Sequence, residues 1–239
     1  MIRLPVRKNI ICFIQALLLP LRCYYINNKT MNKIPDKTVE RLSQYRRALL
    51  IWSAGDKQHI FSHELAGLLH ITPVQVRRDI MLIGYTGTLR KGYDVKELID
   101  LIGKIIDTEE GLNVCVVGVG NLGRAIIRYF SGKRTKLSIV AAFDVNPEKI
   151  GKTFTGVTCF HADLLQEIIR KDHITIAILT VPADEAAAVA ATLVTAGIKG
   201  IINYTPKALN VGENIYLGEY DMITSLEKAA YFVKMNSQK

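Results

Sequence analysis

Gly118-Val119-Gly120-Asn121-Leu122-Gly123 spaces three glycines as G-x-G-x-x-G, directly after the apolar run 113–117 and ahead of a segment with helical periodicity. A phosphate chain needs that combination. The first glycine makes a tight strand-to-helix turn, the second lets backbone approach a pyrophosphate, and the third permits close helix-on-strand packing. The helix N-terminus then offers unpaired N–H groups to the anion. Asp144 closes the next apolar run, 21 residues after Gly123, where a carboxylate accepts hydrogen bonds from the adenosine ribose hydroxyls. An acid there repels a 2′-phosphate, and no basic residue follows before Lys149, so the pattern favours NAD over NADP. A dinucleotide is the leading ligand, with another nucleotide-bearing ligand such as coenzyme A as the alternative. Thr180-Val181-Pro182-Ala183 and Asn203-Tyr204-Thr205-Pro206 fall at the same carboxyl edge, where each is either part of the ligand site or ordinary turn chemistry.

A second constellation lies upstream. Ser62 reads as an N-cap for a short helix over 63–69, a turn follows at His70 and Ile71, and Thr72 caps a helix over 74–83 with Pro73 at its first position and Gly84 after its end. Val76, Ile80 and Ile83 form the inward stripe of that helix, which leaves Gln75, Arg77 and Arg78 on or near its exposed side. Two helices joined by a short turn fit a helix-turn-helix, in which Gln pairs with adenine and Arg with guanine or phosphate. The competing reading is a three-helix unit with no nucleic-acid role. Gly87 and Gly92 enclose Thr88-Leu89-Arg90-Lys91, a pattern for a β-hairpin. Its Arg90 and Lys91 either reach phosphates beside the groove, as a wing does, or sit on a hairpin that only covers the core. Arg41, Arg46 and Arg47 on the preceding helix are either phosphate contacts or a solvated face.

These residues need elements to hold them. Val39, Leu42, Tyr45, Leu49 and Trp52 recur at helical spacing over 38–52, and a further helix is expected from 95 to 106, followed by the short linker Glu109-Glu110. Beyond Gly111 the pattern alternates: strands over 113–118, 137–143, 157–160, 175–179, 200–203 and 215–217, with helices from 121, over 162–171 and over 183–196. Such alternation implies a mostly parallel sheet with helices on both faces. The expected organisation is an extension over 1–32, a DNA-binding domain over 33–108, a nucleotide domain over 111–220 and a C-terminal segment over 221–239.

Composition limits the alternatives. A chain of 239 residues, 49% hydrophobic and 22% charged, can bury two cores. Its net charge of +9 favours a polyanionic partner, and residues 33–93 hold ten basic against five acidic side chains, whereas 111–239 hold fourteen against eleven. The four cysteines show neither a C-x-x-C pair nor a metal-ligand spacing with histidine, which suits a reducing cytoplasm, and Cys115 reads as a buried inert thiol. In the extension, Arg3, Arg7 and Lys8 precede the apolar run 10–21, which Gln15 and Pro20 interrupt. That run imitates a signal peptide but is too short to span a bilayer and lacks an A-x-A-like cleavage site. It is expected to be non-structural or a mis-assigned start, with translation opening at Met31. The alternative is a signal peptide or membrane anchor.

With those motifs in place, the chain from Ile34 onward resembles the bacterial redox-sensing repressor family Rex. The resemblance runs through Ile34-Pro35, Arg41-Leu42, Tyr45-Arg46, Pro73-Val74-Gln75-Val76-Arg77-Arg78-Asp79, Gly92-Tyr93-Asp94-Val95, Gly118 to Gly123, the segments 177–183 and 197–203, and Asp221. It implies an α/β fold: an N-terminal winged-helix (helix-turn-helix) domain, then a Rossmann dinucleotide-binding domain and a C-terminal domain-swapped helix. It also implies a homodimer that binds operator DNA when NADH is scarce and leaves it when NADH rises, with NAD+ competing. By resemblance, the helix from about Asp221 to Met235 is exchanged between subunits. Arg41, Tyr93 and Asp221 correspond to a network near the nicotinamide that rearranges between states, beside the 180–183 loop. The wing departs from the family, since Thr88-Leu89-Arg90-Lys91 stands where a basic pair usually comes earlier and is followed by glycine. Residues 1–32 have no family counterpart. A rival NAD-dependent dehydrogenase would need a substrate domain and a proton donor, yet neither His161 nor His173 stands in a catalytic setting. A coenzyme A-binding regulatory protein is the other rival.

Overall fold

The computed structural model describes residues 34–55, 57–88, 90–130 and 136–237, so the expectations for 1–32 fall outside the described residues. The chain divides into two compact units between Ile106 and Asp107.

The first unit is built on helix α1 (Asp36–Ser53), whose buried positions Thr38, Leu42, Tyr45 and Leu49 recur every three or four residues. Strand β1 (His59–Ile60), helix α2 (Ser62–Leu69) and helix α3 (Pro73–Leu82) follow. Strand β2 (Tyr93–Asp94) and helix α4 (Val95–Ile106) close the unit. Leu42, Tyr45, Leu49, Ile60, Leu65, Val76, Ile80, Leu98 and Ile102 are fully buried together. At about 2 kcal/mol for each large apolar side chain, that burial dwarfs any single polar contact in the unit.

Three details differ from the sequence reading. Ser62 is the first helical residue of α2 and not its cap. The Phe61 amide instead donates to the Glu64 carboxylate at 2.8 Å, so the acid three residues on satisfies the helix start. Within the hairpin, Thr88 and Gly92 are the one bridge among the described residues, while β2 pairs antiparallel with β1 through Ile60 and Tyr93. A two-residue strand such as β1 has no periodicity to read, which is why it escaped the sequence. Thr72 does cap α3, accepting from the Gln75 amide at 3.2 Å.

The second unit opens with β3 (Leu112–Val117), α5 (Asn121–Phe130) and β4 (Leu137–Asp144). The strands β5 (Thr153–Phe154) and β6 (Val157–His161) come next, then a single 3-10 turn and helix α6 (Leu165–Lys171). After these come β7 (Ile174–Leu179), α7 (Ala183–Ala196), β8 (Gly200–Asn203), β9 (Tyr216–Glu219) and α8 (Met222–Asn236). The sheet order is β5-β6-β4-β3-β7-β8-β9, parallel except for the antiparallel edge pair β5-β6. Successive residues of β3 serve opposite faces. Cys115 and Val117 join a core with α6 and α7, whereas Val114 and Val116 join one with Ile127 of α5. Burial pushes the Cys115 thiol up to about 12, consistent with an unreactive packing group. The C-terminal helix α8 buries none of its residues.

Candidate functional site

The chain reverses strand order at β3: the next strand, β4, lies on one side and β7 on the other. That crevice, at the carboxyl ends, is where open parallel sheets take ligands. Here Gly118 adopts φ +94°, and a Cβ on it would stand 2.6 Å from the Thr180 carbonyl oxygen. A Cβ on Gly123 would collide with the Gly118 carbonyl, so both positions exclude a side chain for packing reasons. Gly120 is different: a Cβ there would meet nothing within 4 Å, because the residue borders an open cavity of about 770 Å³. The three glycines therefore divide their roles as a pyrophosphate turn requires, two for the fold and one for ligand approach.

Gly118, Gly120, Asp144, Thr180, Val181 and Pro182 line this cavity. Val119, Asn121, Leu122 and Gly123 flank it: Val119 is buried and gives its amide to Asp144, while the Asn121 side chain is engaged by Arg124 at 2.9 Å. Thr180 donates its hydroxyl to the Gly118 carbonyl at 2.7 Å, which clamps the turn to β7. In the 203–206 loop, Asn203 Oδ1 accepts from the Thr205 amide and hydroxyl at 3.0 and 2.8 Å, and no residue of that loop lines this cavity.

Asp144 Oδ2 accepts from the Val119 amide at 2.7 Å and from Lys149 Nζ at 2.8 Å, and Oδ1 accepts from the Asn146 amide at 2.9 Å. Burial alone would raise its pKa. The Lys149 bond and the two amides outweigh it and hold the carboxyl below its ordinary value. Lys149 and Asn146 also line the cavity and were missed as site residues. The signal for them was the turn around Pro147, which brings a cation five residues on back to the acid.

In the first unit, Arg77 and Arg78 are exposed on α3 and Gln75 is half-buried. Arg77 Nη1 donates to Ser62 Oγ at 3.1 Å, so the residue expected to cap α2 instead steadies a guanidinium. Arg90 and Lys91 are exposed in the hairpin, and the Lys91 amide donates to Thr88 Oγ1 at 3.2 Å. Arg46 is half-buried on α1. Arg41 is engaged, giving Nε and Nη2 to the two oxygens of Asp79 at 2.6 and 2.9 Å. Tyr93 is 8% exposed within the first unit's core, and burial raises its hydroxyl pKa. Asp221 is fully exposed in the second unit and caps α8, accepting from the Ile223 and Thr224 amides. Hydrogen bonds from the Thr224 hydroxyl and these amides lower its pKa.

No group of three or more potential metal ligands occurs among the described residues. No helix among them is long and apolar enough to cross a membrane.

Residues 33–80 match the family described as "Putative DNA-binding protein N-terminus", and residues 109–207 match "CoA binding domain". Fold and matches together define a two-domain protein in which a winged-helix DNA-binding domain precedes a Rossmann nucleotide domain. The redox-sensing transcriptional repressor Rex of Bacillus licheniformis is 39% identical over 212 residues, covering 89% of this chain and 99% of that protein. Among solved structures, the Rex-family repressor RSP in complex with β-NAD+ and operator DNA superposes with a TM-score of 0.79 at 31% identity, covering 88% of this chain and 96% of that one. RSP in complex with β-NADH gives 0.76 at 30% identity, covering 88% and 98%. The chain belongs to the Rex family of redox-sensing transcriptional repressors.

Proposed function

We propose that this protein is an NADH-responsive transcriptional repressor that binds operator DNA when NADH is low and releases it when NADH binds. One observation carries the reading: the same chain holds a glycine-lined cavity ending at Asp144 and a capped helix presenting Arg77 and Arg78. In this reading NADH or NAD+ lies along Gly118, Gly120 and the α5 N-terminus, its adenosine ribose at Asp144 and its nicotinamide towards Thr180, Val181 and Pro182. Gln75, Arg77 and Arg78 read the major groove, while Arg46, Arg90 and Lys91 hold phosphates. The protein acts in the cytoplasm, as a regulator and not as an enzyme.

The active form is a homodimer whose C-terminal helices are exchanged. Supporting this, α8 leaves Met222, Ile223, Leu226, Tyr231, Phe232 and Val233 exposed, and an isolated 15-residue helix is marginal in water without a packing partner. Arg41, Tyr93 and Asp221 take part in the switch, and NADH shifts the balance only if it binds the DNA-incompetent form more tightly.

The matched family's name favours one second reading, coenzyme A as the effector. Its 3′-phosphate would bring further negative charge towards the ionised Asp144, which disfavours it. Titrating the full chain onto a palindromic operator of a Rex relative, with NADH, NAD+ or coenzyme A added, separates the two. Release by NADH alone is the expected result, and release by coenzyme A alone would replace the proposal.

A further inference from the structure

We infer that Asp79 is a positioning residue of the DNA reader, holding the Gln75 amide in one orientation so that Gln75 discriminates a single base pair. The inference rests on the DNA-binding reading above and goes beyond it, since Asp79 itself touches no DNA in this arrangement.

The geometry is a saturated carboxylate. Oδ2 accepts from Arg41 Nε at 2.6 Å and from the Tyr45 hydroxyl at 2.7 Å; Oδ1 accepts from Arg41 Nη2 at 2.9 Å and from Gln75 Nε2 at 2.8 Å. Four donors meet the four lone-pair positions of one carboxylate, and the residue is only 2% exposed. Arg41 is itself steadied by Thr38, whose hydroxyl accepts from Nη2 at 3.0 Å. Two of these partners come from α1, so the carboxylate is fixed across helices and not only by its own turn.

Gln75 is one turn before Asp79 on α3, the helix that faces the groove. An ionised carboxylate can only accept, so it must face the NH2 end of the Gln75 amide. Oε1 and the second amide hydrogen are left for a partner, the acceptor-and-donor pair that meets an adenine edge in the major groove. A free glutamine would sample several rotamers and flip its amide, paying for each bound orientation in entropy. Held by Asp79, it is prepared before DNA arrives, as reading groups generally are when a second group orients them.

The test measures binding of the full chain to an operator series in which every base pair of one half-site is replaced in turn. Gln75→Ala should lose discrimination at one base pair by at least about fivefold. Asp79→Asn, which keeps the shape but cannot accept from all four donors, should lose discrimination at that same pair, with affinity for unrelated DNA and its salt dependence unchanged. The double variant should be no less selective than Gln75→Ala alone. Tyr45→Phe removes a donor to Oδ2, not to the Oδ1 that holds Gln75, and should weaken the fold without altering the base-pair profile. Asp79→Asn that keeps the wild-type profile, or that loses selectivity equally at every pair, overturns the inference.

A second measurement needs no variant. Side-chain ¹⁵N relaxation should show Gln75 Nε2 about as rigid as the α3 backbone, and a Gln75 amide as mobile as a surface glutamine sinks the idea. Failure of the wild-type chain to bind any operator would count against the functional reading instead, while the relaxation result still decides whether Asp79 positions Gln75.

Discussion

Asp79 in the first unit, buried, and Asp144 in the second, half-buried, are both carboxylates held below their ordinary pKa, yet they are held by different means. Around Asp79 every hydrogen-bonding partner is a side chain, and Arg41 and Tyr45 lie 38 and 34 residues away. Around Asp144 two partners are backbone amides, of Val119 25 residues away on the glycine turn and of Asn146 two residues on, and the cation is five residues on. The difference separates a site assembled wholly from side chains of packed helices from one held by backbone amides and a cation from its own turn. Each kind fails differently when it is disturbed.

The largest expected effect is on Asp79→Ala. It strips the acceptor from Arg41 and from the fully buried Tyr45 hydroxyl, and losing one partner of such a pair costs about 3 kcal/mol of folding stability. Trp52, the chain's single tryptophan, lies in the first unit and reports that loss in a denaturant titration. Asp144→Ala should cost only about 1 kcal/mol, because Lys149 is 28% exposed and can turn to water, but should weaken NADH binding about tenfold. Equal stability losses from the two substitutions would break the comparison.

Next in size is Gly123→Ala, where the new methyl collides with the Gly118 carbonyl and overpacking costs about 2 kcal/mol. Gly120→Ala, which opens onto the cavity, should leave thermal unfolding almost unchanged and still reduce NADH affinity in a fluorescence titration. If Gly120→Ala binds NADH as the parent does, the cavity is not the pyrophosphate site.

Acid should affect both carboxylates in one direction. Each folded pKa lies below the unfolded value, so the stabilisation is complete well above pH 4, the ordinary carboxylate range, and is lost as pH falls through the folded values. For Asp79, burial opposes ionisation, and the bonds from Arg41, Tyr45 and Gln75 prevail. An acid titration followed by Trp52 fluorescence should show stability falling below about pH 4 in the parent and a flatter profile in Asp79→Asn. The smallest effect belongs to the hairpin. Lys91→Ala should lower the salt slope of operator binding by about one and weaken all DNA sequences alike.

Much of the second unit was legible because its determinants are consecutive. Gly118 to Gly123 and Asp144 declare their roles by spacing, and strands buried on both faces read as apolar runs. The edge strand β5 and the pair β1-β2 were not legible, since two-residue strands exist only by virtue of the neighbour they bond to.

Residue identity alone also left the partner undecided where one side chain has several possible ones. Arg41 reads as a basic surface residue until α3 is packed beside it. Ser62 reads as a cap until Arg77 takes its hydroxyl and Glu64 takes the Phe61 amide. Thr180 lines the cavity, and only the fold shows that its hydroxyl also donates to the Gly118 carbonyl.

By itself, then, the sequence determined the helix periodicities, the glycine turn, the acid that follows it and the capped helix that carries the arginines, because each depends on backbone geometry and near neighbours. Only the tertiary structure decided where the polar side chains spend their hydrogen bonds, and with that the bridge from Arg41 through Asp79 to Gln75. A buried donor must find an acceptor, and which one lies within 3 Å is settled by packing between segments far apart in the chain.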